Sequence, residues 1–186
     1  MAFLDSNLLI SFAFINDKNH TMARELLNKL NKPFFVSPLA LFEISTSIPR
    51  RIIPVGGFRL PNFLQYILDC IPNLEEKLKQ SIEIVISYLK DTLELTFCSD
   101  EECPELKEYG GVHIIGEQVK LFKLYALGME KAYKVRLKAL DLLHIVYVHA
   151  LSRKGYPSEF ATLDKDFQKR SDIIEQEFGV KILTKT

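Results

Sequence analysis

The chain has no tryptophan, only three cysteines and no excess charge of either sign: Lys+Arg and Asp+Glu each number 24 in 186 residues. That balance removes the global basic field expected of a chain coated in nucleic acid, and leaves any such contact to local basic clusters. Cys70, Cys98 and Cys103 show neither CxxC spacing nor the density of a disulfide framework, so reduced thiols used in packing are expected. Cys98, Cys103 and His113 lack the second ligand pair that a structural zinc site would want. No apolar run approaches the roughly 18–20 residues that span a bilayer. The opening MAFLDSNLLI has no basic n-region and no cleavage site, and meets Asp5 almost at once. These absences predict a cytoplasmic, soluble protein with no membrane contact.

What is present suits a single globular domain over residues 1–186, with a hydrophobic fraction of 47% and enough length for a substantial core. Short continuous apolar runs, AFL, PFFVS (33–37), EFATL (159–163) and VKIL (180–183), read as buried strands. LELTFCS (93–99) offers another. Helical periodicity fills Leu8–Ile15, His20–Leu30, 38–45, 61–93, about 116–133 and the stretch around Asp141. PRRIIPVGGFRLP (49–61) reads as loop, and 100–116 as irregular with one helical turn. Strands alternating with helices predict an α/β fold with a mainly parallel sheet covered on both faces.

The acidic residues then fall in a pattern. Asp5 follows AFL, Asp164 follows FATL, and Glu43 lies in the first turns of the helix after FFVS. In an open parallel sheet, ligands bind outside the carboxyl ends of the strands, where all three acids point. Asp141 is lodged in KALDLLHIVYVHAL, which is apolar on nearly every side, and an unpaired carboxylate there costs several kcal/mol on the order of usual desolvation penalties. Each acid also has a plain structural reading: Asp5, Asp164 and Asp166 as helix caps, and Glu43 as a first-turn partner of the helix dipole. His144, three residues after Asp141 on the same face, reads equally as a structural histidine. Four carboxylates in one crevice repel one another unless a cation offsets them, and an oxygen-only cluster suits Mg²⁺ or Mn²⁺. The chemistry this implies is hydrolysis of a phosphodiester.

With FLDSNLLI, SPLALFEIS, LKALDLLHIVYVHAL and FATLDKDF in that order, the chain resembles the PIN-domain nucleases, and among them the VapC-like toxins of toxin–antitoxin pairs. The resemblance covers roughly 1–48 and 117–186. It implies a three-layer α/β/α fold and a Mg²⁺- or Mn²⁺-dependent ribonuclease acting on RNA. Asp5 and Asp141 would be direct metal ligands, Glu43 and Asp164 would bind through water or a second ion, and Asp166 would compete with Asp164 for the last role. Asn7 would orient Asp5, and Thr162 would hydrogen-bond within the pocket, with His144 in support. An antitoxin protein and a homodimer are the partners it brings with it. The alternative is a PIN-fold RNA-binding or assembly module with little catalysis.

Residues 49–116 depart from the small toxins, which have a much shorter segment there. They read as a helical and loop insertion, either packed on the domain or offering a partner surface, since the stripe Leu74, Leu78, Ile82, Val85, Leu89, Leu93 is long. EKAYKVRLK places Lys131, Lys134, Arg136 and Lys138 just before Asp141, and Lys165, Lys169 and Arg170 flank the last acids. Arg136, Lys138 and Lys165 are the expected phosphate contacts, a solvated helix face being the ordinary alternative.

Overall fold

The computed structural model describes residues 1–53, 57–114 and 117–185. Five short strands form one parallel sheet: β1 (Ala2–Leu4), β2 (Phe34–Val36), β3 (Leu95–Phe97), β6 (Glu159–Ala161) and β7 (Lys181–Leu183), in the order β3-β2-β1-β6-β7. Consecutive side chains on a strand point to opposite faces. Ala2 and Leu4 therefore join Phe34, Val36, Leu95 and Ala161 in one core, while Phe3 and Phe160 join a second core on the other side. Helices α1 (Ser6–Ala13), α2 (His20–Lys29), α3 (Pro38–Ile52), α4 (Asn62–Asp69) and α5 (Leu74–Leu93) cover the first face. The second is covered by α6 (Lys123–Val135), α7 (Ala139–Ser152), α8 (Lys165–Lys169) and α9 (Ser171–Phe178). The fold is the three-layer α/β/α arrangement expected from the sequence.

Residues 49–116 are not set apart from this architecture, because β3 comes from them and closes one edge of the sheet. Helix α3 also runs on through Pro49 to Ile52, where a loop is expected. A proline inside a helix costs about 3 kcal/mol. Ile48, fully buried, and Ile52, packed against the same core, bring that helical turn the burial that offsets it. Residues 54–56 of the expected loop and 115–116 lie outside the described residues. Helix α5 packs on α3 and α4 packs on α5, with Leu64, Leu68, Val85, Leu89 and Leu93 buried in the first core, whereas Leu74 at the head of the apolar stripe is 60% exposed. Asn73 caps α5 by accepting from the Glu76 N–H at 3.0 Å.

The stretch before α6 differs most from the sequence reading. Two 3₁₀ turns, Asp100–Glu102 and Pro104–Leu106, lead into an antiparallel pair, β4 (Tyr109–Ile114) and β5 (Glu117–Phe122). Helix was expected from Gly116, yet it begins only at Lys123. In EQVKLF, Val119 and Leu121 alternate with exposed neighbours, which is a strand pattern of period two. Gly110 lets this hairpin lie on α6, since a Cβ there would meet the Ala126 Cβ at 3.2 Å.

Candidate active site

The strand order reverses direction between β1 and β6, so the crevice beyond their carboxyl ends is where this topology places a ligand. Asp5 follows β1 directly, and its backbone N–H donates to the Ala161 carbonyl of β6 at 2.9 Å. Because α7 packs on the sheet and leads back into β6, its first turn returns to the same edge and carries Asp141 there. Helix α3, begun by Ser37 accepting from the Ala40 N–H and by Pro38 in the first turn, brings Glu43 over from β2.

Asp5 is 2% exposed and makes no cap bond to α1. Instead its Oδ2 accepts from Thr162 Oγ1 at 2.6 Å, and Thr162 Oγ1 accepts in turn from the Asp164 N–H at 2.9 Å. Burial pushes the Asp5 carboxyl above its ordinary value, against the pull of His144 and Thr162, and the Glu43 charge adds to the rise. Ser6 Oγ donates to Glu43 Oε2 at 2.6 Å and lies 3.4 Å from Asp5 Oδ1, tying the two acids together. His144 Nε2 approaches the same Glu43 oxygen at 2.7 Å. Burial works to raise the Glu43 carboxyl, but the hydrogen bonds from His144 and Ser6 outweigh it and hold it below its usual range.

Asp141 has no such help. Its Oδ2 is buried without a hydrogen-bond partner among the described residues. Desolvation raises its carboxyl, and the charges of Asp164 and Asp5 raise it further, against Lys138 and His144. Those same influences place Asp5, Asp141 and Asp164 within one electrostatic neighbourhood. Asp164 caps α8 with Oδ1 accepting from the Asp166 N–H at 2.7 Å, so one of its oxygens serves structure.

Donor atoms of Asp5, Glu43 and His144 lie within 4.8 Å of one another, close enough to surround an ion. Through Nε2, which meets Glu43, the imidazole is nevertheless a poor ligand. An ionised Glu43 only accepts, so Nε2 carries the proton and has no lone pair for a metal. A ligating histidine donates its other N–H to a partner, and His144 Nδ1 is buried with none among the described residues. The donors that fit a cation are therefore oxygens: the orphaned Asp141 Oδ2, the Asp5 carboxylate, and Glu43, whose two bonds both end on Oε2. Such a hard oxygen set is what Mg²⁺ or Mn²⁺ accepts.

Two expected site residues are placed elsewhere. Asp166 is half exposed and faces Lys169 at 3.7 Å, so it does not join the other acids. The Asn7 side chain is exposed, and it is its backbone N–H that favours the ionised Asp5. The Asp-x-Asn spacing puts the asparagine at the second position of α1, where it lines a cavity together with Asp164. Ser6, hidden in a trio that reads as capping residues, was missed; no local signal links it to Glu43, which is 37 residues away. Among the basic residues, Lys138 stands at the N-cap position of α7 without a side-chain capping bond and is exposed, as are Arg136 and Lys165. Lys131 and Lys134 are instead committed to Glu177 at 3.0 and 2.8 Å, on the α6–α9 contact. Cys98 and Cys103 are buried, and desolvation raises their thiols to about 12 and about 11. The His113 side chain lies outside the described residues. No family model matches the chain, and no curated protein matches it.

Proposed function

We propose that this protein is a metal-dependent endoribonuclease that hydrolyses RNA phosphodiester bonds, in line with its resemblance to the PIN-domain nucleases. The observation that carries this reading is Asp141: a carboxylate whose Oδ2 is buried without a partner among the described residues, at the switch point of a parallel sheet, within the electrostatic reach of Asp5 and Asp164. A pocket whose burial and like charges raise two carboxyls is costly to the fold, and a bound cation relieves that cost.

Asp5 and Asp141 are the residues assigned to hold Mg²⁺ or Mn²⁺, with Glu43 and Asp164 completing the negative pocket. When bound, such an ion lowers the pKa of a coordinated water and stabilises charge on the phosphate being displaced. Thr162 fixes the Asp5 carboxylate, and Ser6 with His144 fixes Glu43. Lys138, Arg136 and Lys165 offer cations to the RNA backbone on the same edge. In the reaction, water oxygen forms a bond to phosphorus as the bond to the leaving ribose oxygen breaks. The cytosol, an antitoxin and a second copy remain with the same proposal. The exposed Phe63, Tyr66 and Ile67 on α4 favour a protein contact there.

The test is cleavage of a mixed single-stranded RNA pool by the purified protein with Mn²⁺ or with EDTA, beside Asp141→Asn. Metal-dependent cutting that is lost in the variant is expected. Equal cutting by both proteins would remove the four acids from the mechanism.

A further inference from the structure

A cavity of about 430 Å³ includes Asp164 of the acidic cluster in its lining, together with Asn7, Asp17, Lys18, Asn19, Arg51 and Phe58. Its size is that of a small-molecule site, and its lining is polar. Two carboxylates line it, Asp164 on the side of the acidic cluster and Asp17, which is paired. Asp17 Oδ2 accepts from Arg51 Nη1 at 2.9 Å, and Oδ1 accepts from the Asn19 N–H at 2.8 Å. The charge this part of the cavity offers a ligand is therefore that of Lys18, while Arg51, paired with Asp17, offers its remaining N–H groups as hydrogen-bond donors.

Three details give the cavity a built form. The Arg51 guanidinium lies 4.1 Å from the Phe58 ring centroid and 5.7 Å from that of Phe14, so its plane is held by packing as well as by Asp17. The Phe58 wall is pinned by Asn16, whose Oδ1 accepts from the Arg59 N–H at 2.6 Å and whose Nδ2 donates to the Gly57 carbonyl at 3.3 Å. Asn19 occupies the N-cap of α2 and lines the cavity, and its side chain makes no capping bond among the described residues.

The geometry points to this cavity as the seat of the nucleotide that flanks the scissile phosphodiester, with a phosphate on Lys18 and Arg51 and a base edge on Asn7 and Asn19. The assignment rests on the nuclease reading. A strand whose reacting phosphate sits at Asp141 and Asp164 leaves that point along the wall that Asp164 and Asn7 share with the cavity. Paired donors and acceptors on carboxamides are the groups that read base edges, single-stranded RNA exposes those edges, and a stacked guanidinium gives a base a flat partner. The cavity thus confers a base preference at one position beside the cut.

The experiment measures binding of labelled eight-nucleotide homopolymers of A, C, G and U by fluorescence anisotropy, with Mn²⁺, in an Asp5→Asn background that keeps the RNA intact. Lys18→Ala is expected to weaken binding by about fivefold and to lower the salt-dependence slope by about one. Lys29→Ala, the same charge change at the far end of α2, is expected to do neither. Asn19→Ala is expected to flatten the preference among the four homopolymers. Lys18→Ala indistinguishable from Lys29→Ala, or a preference unmoved by Asn19→Ala, would overturn the assignment. Cleavage of the same oligomers by the parent protein separates the two claims. Cutting with affinity and preference unmoved keeps the nuclease and loses the subsite; affinity lost in Lys18→Ala with no cutting keeps the subsite and loses the nuclease.

Discussion

Thr162→Val perturbs the site while changing almost nothing in volume. Thr162 is fully buried, and its hydroxyl both donates to Asp5 Oδ2 at 2.6 Å and accepts from the Asp164 N–H at 2.9 Å. A hydrogen bond to a charged group contributes about 1.5–3 kcal/mol, and an amide left without its partner costs about 1 kcal/mol or more. Two effects limit the sum: Asp164 is partly exposed and water can reach its amide, and Asp5, already raised by burial, can take up a proton instead of staying charged. The net loss expected in the metal-free protein is about 2–3 kcal/mol, read as a shift in the urea midpoint at neutral pH with EDTA. Thr162→Ser, which keeps the hydroxyl, recovers more than half of it. A valine variant within about 0.5 kcal/mol of the parent would show that Thr162 does not bridge the ends of β1 and β6 as described.

Further outcomes follow from the same contacts. Asp5 and Asp141 have folded-state carboxyls raised above their ordinary 3.8, so their contribution to stability is present below that pH and is lost as pH rises through the raised values. Metal-free Asp5→Asn is therefore more stable than the parent at neutral pH, by a margin that shrinks on acidification toward pH 4, and the order reverses with saturating Mn²⁺. A margin that grows on acidification would contradict this. His144→Gln, which retains an N–H near the Nε2 position, keeps Mn²⁺ affinity within about threefold, while His144→Ala lowers activity by releasing Glu43. Comparable loss of metal in both would make the imidazole a ligand. With Cys98 and Cys103 buried and raised to about 12 and about 11, a thiol reagent at pH 8 labels Cys70 alone in the native protein and all three cysteines in denaturant.

The parts of this fold legible in the sequence are those where one physical signal stands alone. AFL stopping at Asp5 and FATL stopping at Asp164 are buried strands ended by acids, of which Asp164 caps a helix, and both emerge at the sheet edge that the alternating pattern predicts. The parallel order, with β1 central, brings Glu43 and Asp141 to the same edge from opposite layers. The hairpin at 109–122 was hidden because Leu121, Leu124 and Tyr125 suit a helical spacing while Val119 and Leu121 suit a strand, and only packing on α6 decides. Helix α3 crossing Pro49 was hidden because local chemistry forbids what Ile48 burial compensates. Ser6 and the Glu43–His144 contact were hidden for a different reason. They join residues 37 and 101 positions apart, and nothing short of the tertiary fold brings them together.

The central claim is that Asp5, Glu43, Asp141 and Asp164 form one site for a divalent cation. Calorimetric titration of the metal-free protein with Mn²⁺, beside Asp141→Asn, tests it most directly. The prediction is saturable binding by the parent, weakened at least about tenfold in the variant, because Asp141, whose Oδ2 has no partner among the described residues, is proposed as a direct ligand. Equal affinity in the two proteins, or no binding by a folded parent, would contradict it.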